Sequence, residues 1–309
     1  MKANVLTETL DLDKKEWLQQ RQKGIGGSDA AAIAGLNPWK SPISVYMDKI
    51  GQGEEIPDNE RMRIGRDLED YVAQRFSEAT GMKVRRRNAI LQHPEHKFML
   101  ANVDRLIVGI DEGLECKTTN SYAKKDWEEK EIPMHYELQC HHYMAVTGYK
   151  AWWIAVLIGN EKFVYKKIER DEETIKMLIE IESDFWNNHV IKKEMPSPDG
   201  SVDADNLIKD MYPDVEEGSE IILPEYEDKI KRLDEIKDLS KELDKERKEI
   251  EQNIKLAMKE SETAIVGDRK ITYKKVTSNR FNSKGFKKDH PDLYNEYKKE
   301  SSYRRFMVK

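Results

Sequence analysis

Asp104 and the triplet Glu115-Cys116-Lys117 carry the densest chemical content of the chain. The run 98–108 is apolar-rich and alternates around Asp104, and 114–118 reads as a returning strand. Between them, Gly109-Ile110-Asp111-Glu112-Gly113 has turn chemistry. The pattern predicts a hairpin that brings Asp104 near Glu115. Two carboxylates on adjacent strands can hold one or two hard divalent cations, with the Cys116 carbonyl as a further oxygen ligand. Side chains alternate along a strand, so Lys117 shares a face with Glu115. Its ammonium is then available to orient a water or to stabilise charge on a phosphate under attack. This is a recipe for phosphodiester hydrolysis. The E-x-K spacing alone discriminates little, because it recurs at Glu128–Lys130, Glu235–Lys237, Glu246–Lys248 and Glu296–Lys298 in charged, helix-like stretches. Only Glu115–Lys117 follows an apolar hairpin that supplies an aspartate. On the residues alone, a nuclease centre and a surface salt-bridge cluster stand as equal alternatives.

The elements around this hairpin read as one mixed α/β unit over residues 1–195. Ser28 is placed to cap a short helix, DAAAIAGL, that Asn37-Pro38 terminates. Residues 41–50 are helical with Pro42 in the first turn, followed by a polar loop. A longer helix spans 60–80, with Met62, Leu68, Val72 and Phe76 near one face and Gly81 as its stop. Lys83–Leu91 reads as a strand, 134–147 as a helix ended by Gly148, and AWWIAVLIG and KFVYKKIE as two further strands. An amphipathic helix follows over 171–191. Residues 196–224 read as a linker. From 225 to 262, Ile230, Leu233, Ile236, Leu239, Leu243, Ile250 and Ile254 recur at mostly helical steps. That is a long charged helix, either a coiled-coil arm or a helix packed on the body. AIVGDRKITYKKV predicts a hairpin at Gly267-Asp268, and 263–309 is a basic, aromatic-rich end.

The chain has 309 residues, 38% hydrophobic and 36% charged, with no apolar run long enough to span a membrane. Two cysteines build neither a disulfide framework nor an iron–sulfur or four-cysteine zinc site, and a cytoplasmic setting is expected. No phosphate-binding loop of the G-x-x-x-x-G-K-[ST] type is present, so ATP-driven chemistry is not expected. The net charge of −6 argues mildly against a nucleic-acid partner, but it is uneven. Thr263–Lys309 holds 13 Lys and Arg against 5 Asp and Glu, which leaves −14 on the first 262 residues.

RQKGIGGSDAAAIAGLNPW, MRIGRDLEDYVAQRF, ANVDRLI, LECKT and ELQCHHYMAVTG occur in that order over roughly residues 15–195. Together they resemble the motifs of the phage-type YqaJ and lambda exonuclease family. The resemblance implies a restriction-endonuclease-like α/β core with a central mixed sheet, of the PD-(D/E)xK superfamily. It implies a Mg²⁺-dependent 5′-to-3′ double-strand DNA exonuclease, with Mn²⁺ as an alternative cation. Such enzymes work beside a single-strand annealing protein in phage recombination, in a phage, prophage or bacterial host, and assemble as homo-oligomers, toroidal trimers among them. By position, Asp104 and Glu115 match the metal-binding acids, Lys117 the catalytic lysine, and Glu69 the helical acid near the metals. Gln139 and Tyr143 match a Q-x-x-x-Y element that orients the attacking water or lysine. Arg21 and Ser28 match the pair that cups a 5′-phosphate. Read from its residues alone, the run Arg85-Arg86-Arg87 is either a contact to the DNA backbone or a solvated strand end. Val103 stands where the superfamily's name has proline, and Glu137 where relatives often carry a second glutamine. His135, His141 and His142 lack the spacing of a zinc site and read as helix-surface or DNA-facing residues. An endonuclease on the same core and a non-catalytic DNA-binding recombination scaffold are the competing readings.

Overall fold

The computed structural model describes residues 3–53, 57–127 and 131–308; the E-x-K match at Glu128–Lys130 and part of the 51–60 loop lie outside them. Strand β1 (Asn4–Glu8) leads to helix α1 (Lys14–Arg21), whose start is a capping box. Asp13 accepts from the Glu16 N–H, and the Glu16 carboxylate accepts from the Asp13 N–H. Helix α2 (Gly27–Ile33) begins earlier than expected. Gly26 occupies the cap position, and the Asp29 carboxylate reaches back to its N–H at 3.1 Å. Ser28 therefore sits inside the first turn rather than at the cap. Helix α3 (Pro42–Lys49) is capped by Ser41, and α4 (Glu60–Thr80) by Asn59. Of the face expected for α4, Val72 and Phe76 are buried, joined by Ala73, while Met62 stays exposed.

Two of the predicted strands each break in two. Lys83–Leu91 becomes β2 (Val84–Arg86) and β3 (Ala89–Gln92); 98–108 becomes β4 (Leu100–Asn102) and β5 (Arg105–Ile107). Each break moves the chain from one sheet to another. Strands β1, β3 and β4 form one sheet. The larger sheet runs β2-β5-β6-β7-β8, with β6 (Glu112–Thr119), then α5 (Met134–Thr147), β7 (Ala151–Ile158) and β8 (Lys162–Glu169). β6 and β7 are parallel and the other neighbours antiparallel, so the central sheet is mixed. Helix α5 is the crossover between the two parallel strands. Helix α4 covers one face, with Val72, Ala73 and Phe76 against Leu114, Ile107 and Ala155. Helix α5 covers the other, with Cys140, Tyr143 and Met144 against Trp152, Ile154 and Val156.

Helix α6 (Glu172–Asp184) continues through a wider π turn, Phe185–Ile191. The segment expected as a linker instead contains helix α7 (Val202–Met211). The Asp203 carboxylate accepts from the Ser41 N–H at 2.7 Å and the Ser44 hydroxyl at 2.6 Å, which ties α7 to α3. The first compact unit thus runs to Tyr212 rather than to 195.

The second unit, Pro213–Lys309, starts with helix α8 (Glu227–Met258), 32 residues laced by ion pairs three or four positions apart. Strands β9 (Thr263–Val266) and β10 (Arg269–Thr272) form the expected hairpin. Two short helices follow, α9 (Ser283–Asp289) and α10 (Pro291–Tyr297). Among the described residues no helix is long and apolar enough to cross a membrane.

His141 and His142 are buried, contrary to the surface role expected of them. His142 joins three elements: its Nδ1 lies 2.8 Å from Glu182 Oε1 on α6, and its Nε2 lies 2.8 Å from the Leu100 carbonyl of β4. Burial alone would lower the imidazole, but the Glu182 carboxylate raises it above its ordinary value; burial likewise raises Glu182. Both shifts mean that the folded pair holds protons more tightly than the unfolded chain. Their stabilisation is complete below the unfolded values and is lost as pH rises through the folded ones. The urea midpoint should therefore fall as pH is raised from about 4.3, where unfolded Glu182 ionises, through about 6.5, where unfolded His142 loses its proton, and a His142→Asn/Glu182→Gln double variant should lack that part of the slope. Glu182→Ala alone should cost about 3–5 kcal/mol near pH ~6, where it strands a buried imidazolium.

Candidate active site

Asp104 stands where the chain leaves β4 and enters β5, and its Oδ2 accepts from the Cys116 N–H at 2.8 Å. The β5–β6 pairing, Arg105 opposite Leu114, is the hairpin expected from the sequence. Alternation along β6 turns Leu114 and Cys116 toward α4 and Glu115 and Lys117 toward α5. Glu115 is 3% exposed. Its Oε1 accepts from Lys117 Nζ at 2.6 Å and from Gln139 Nε2 at 2.8 Å. Its Oε2 is buried and finds no hydrogen-bond partner among the described residues.

The electrostatics follow from burying like charges together. Burial first, then the charges of Glu115 and Glu69, push the Asp104 carboxyl well above the usual carboxylate range. Burial would lower the Lys117 ammonium, but Glu115 and Asp104 outweigh it and hold the lysine protonated. Its Nζ also lies 5.1 Å from the centroid of the Tyr136 ring on α5. Burial, then Asp104 and Glu115, push the Cys116 thiol up, so it is no nucleophile at neutral pH.

Glu69 reaches this cluster from α4 and is held by Arg105, itself 3% exposed. The same guanidinium donates to the Asp104 carbonyl at 2.7 Å and to Asp70 at 2.6 Å. Sequence reasoning passed over Arg105 and Tyr136. Tyr136 had a signal, since it lies one helical turn before Gln139; Arg105 had none, because its partners come from α4, some 35 positions away.

The donor set suits a hard divalent cation. The charges of Glu115 and Glu69 both bear on Asp104, and among the described residues the buried Glu115 Oε2 lacks a hydrogen-bond partner. Among the described residues, no three His, Cys, Asp or Glu side chains already stand at metal-binding distance. Lys117 and Gln139 occupy Glu115 Oε1, and the Cys116 N–H occupies Asp104 Oδ2.

A second cluster lies at the start of α2. Arg21 donates to the Ser28 hydroxyl at 3.1 Å, and its guanidinium lies 4.7 Å from the Trp17 ring centroid. Beneath them Asp29 is buried against Lys49 at 2.7 Å and Lys40 at 3.2 Å. Burial pushes Asp29 upward, but Lys40, Lys49 and Arg21 outweigh it and hold the carboxyl well below the usual range. Lys49 also donates to the Arg21 carbonyl at 3.2 Å, fixing the end of α1.

Tyr143 links the two clusters. Its hydroxyl accepts from Gln139 at 2.7 Å, and its ring packs on α2 so closely that a Cβ on Gly27 would lie 2.5 Å from Cε1. Tyr143 is 4% exposed, so it supports Gln139 from below and offers no surface to a nucleic acid. Arg85, on β2, is exposed opposite Leu106, on the face away from Arg86 and Arg105; it is not brought to the carboxylates.

This fold is that of an alkaline exonuclease. The crystal structure of such an enzyme from Laribacter hongkongensis superposes with a TM-score of 0.51 at 19% identity, over 64% of this chain and 98% of that one. The structure of that exonuclease with dAMP gives 0.50 over the same shares. The YqaJ-like viral recombinase domain matches residues 16–150. An uncharacterized protein of Bacillus subtilis (strain 168), YqaJ, is 44% identical over 315 residues, covering 100% of this chain and 98% of its own length. An uncharacterized protein of Acanthamoeba polyphaga mimivirus is 30% identical over 90 residues, only 16% of its length. The chain therefore belongs to the YqaJ family of phage-type recombinase proteins.

Gly27→Ala tests the link between the clusters. The added methyl has to displace either α2 or the Tyr143 ring, and should cost about 1–3 kcal/mol in denaturant unfolding. Gly26→Ala, where the nearest atom is the flexible Arg21 guanidinium at 3.5 Å, should cost less.

Proposed function

We propose that this chain is a Mg²⁺-dependent 5′-to-3′ exonuclease of double-stranded DNA, with Mn²⁺ as a substitute. It releases 5′-phosphorylated nucleotides and leaves 3′ single strands for an annealing protein. The observation that carries this reading is Glu115: a buried carboxylate with one oxygen held by Lys117 and Gln139 and the other unpartnered. A buried carboxylate oxygen without a partner is suited to a cation and costly without one. The dAMP held by the structural relative supports a DNA substrate.

In this reading Asp104, Glu115 and Glu69, with the Cys116 carbonyl, hold the metal. The cation supplies Lewis-acid polarisation of the phosphodiester and acidifies water. Lys117, protonated and fixed on Glu115, stabilises the charge that develops on the phosphate. Gln139, held between Glu115 and Tyr143, orients the group that attacks. Arg105 keeps the Glu69 carboxylate turned toward Asp104. Arg21 and Ser28 grip the terminal 5′-phosphate, and this favours ends over internal bonds. A homo-oligomer, toroidal trimers among them, belongs to the same reading.

Purified protein with Mg²⁺ should degrade a 5′-phosphorylated linear duplex and spare a covalently closed circle. Lys117→Ala should slow hydrolysis by at least about 10²-fold while duplex binding persists. Digestion of the circle at a comparable rate would make the enzyme an endonuclease. A wild type inert with both Mg²⁺ and Mn²⁺ would leave a DNA-binding scaffold. For the phosphate grip, Arg21→Ala should erase the preference for 5′-phosphate over 5′-hydroxyl ends, a change of about 10–100-fold from losing a charge-assisted hydrogen bond. An unchanged ratio would remove Arg21 from that role.

A further inference from the structure

Two neighbouring stretches of the second unit are both rich in charge but treat it differently. In α8 most of the cations are paired locally: Lys231, Arg232, Lys237, Lys241, Arg247 and Lys255 each meet a carboxylate three or four positions away. Past the end of α8 that pattern stops. Among the described residues, Arg269, Lys270, Lys274, Lys275 and Lys284 form no ion pair. By sequence the 13 Lys and Arg of Thr263–Lys309 outnumber its 5 Asp and Glu, an excess of +8.

Aromatic rings are interleaved with these cations and are left in water. Phe281 is 72% exposed, Tyr297 78%, Tyr303 82% and Phe306 84%. Each stands beside a cation in the chain: Arg280-Phe281, Tyr297-Lys298 and Tyr303-Arg304-Arg305-Phe306. Core packing does not explain rings this exposed, and lysines alone would serve solubility without them. Positive charge interleaved with exposed flat apolar faces is the chemistry that grips a strand whose bases are unpaired. A duplex would satisfy the lysines but hide its base faces from the rings.

We propose that residues 263–309 bind single-stranded nucleic acid, the lysines and arginines meeting phosphates and the exposed rings stacking on bases. The binding is independent of hydrolysis and stands or falls apart from the nuclease reading.

The test uses the full-length protein in EDTA, so that no strand is cut, with a labelled 30-nucleotide oligo-dT and a 30-base-pair duplex compared by fluorescence anisotropy across salt. Tyr303→Ala/Phe306→Ala should weaken oligo-dT binding by about tenfold or more, with less than about a twofold change on the duplex. Lys274→Gln/Lys275→Gln should lower the slope of log affinity against log salt by up to about 1.4, roughly 0.7 for each lost contact. Should a variant unfold the unit, photocrosslinking of thio-substituted oligo-dT to the wild type replaces it, and the crosslinks should map to 263–309. Equal losses on oligo-dT and duplex would overturn the stacking. Unchanged affinity and slope, crosslinks confined to residues 1–212, or a change in oligomeric state alone would overturn the proposal.

Discussion

The structure around the candidate site depends on one desolvated carboxylate. Glu115 lies on the central strand of a sheet covered on both faces, where an unpaired charge would cost several kcal/mol. Lys117 and Gln139 satisfy one of its oxygens. That requirement propagates. Gln139 donates onward to Tyr143, and the Tyr143 ring sets how closely α2 approaches α5. The Arg21–Ser28 pair is thereby held at a set place relative to the Asp104–Glu115 hairpin. Each contact is ordinary, but together they turn a buried charge into a ruler between two clusters.

Charge balance explains why so acidic a surface is compatible with this arrangement. Arg105 is buried between Glu69, Asp70 and the Asp104 carbonyl, and so partly offsets the carboxylates that gather there. The Asp29 cluster is the converse, one buried acid surrounded by Lys40, Lys49 and Arg21. It leaves an excess of cations at the start of α2, beside the residues proposed to meet a phosphate. The net charge of −6 averages these local fields with the ion-paired α8 and the basic C-terminal stretch. No single sign describes the molecule, and net charge is a poor guide to what it binds.

Legibility in the sequence followed the range of the interactions. The hairpin between β5 and β6, the helices α4 and α5, and strands β7 and β8 were readable because alternation, helical periodicity and glycine stops are local signals. Breaks inside apolar runs were not. The run through Asp104 looks like one strand but serves two sheets, because both sheets need its apolar residues and neither choice is visible in a window of ten. Helix α7 was read as linker, since its tether to α3 through Asp203 spans some 160 positions. His142 looked like a surface residue because nothing near it in sequence announces Glu182.

By itself, then, the chain's order of residues determined the locally signalled elements and the candidate acids. A carboxylate in an apolar strand, two positions before a lysine and after an aspartate hairpin, has few uses. Only the tertiary structure decided which atoms are engaged and which remain open. It put Tyr143 beneath the site, set Arg85 apart from it, brought in Arg105 and left Glu115 Oε2 without a partner among the described residues. The physical reason is that hydrogen-bond satisfaction and desolvation are properties of all neighbours at once, and most of those neighbours are far away along the chain.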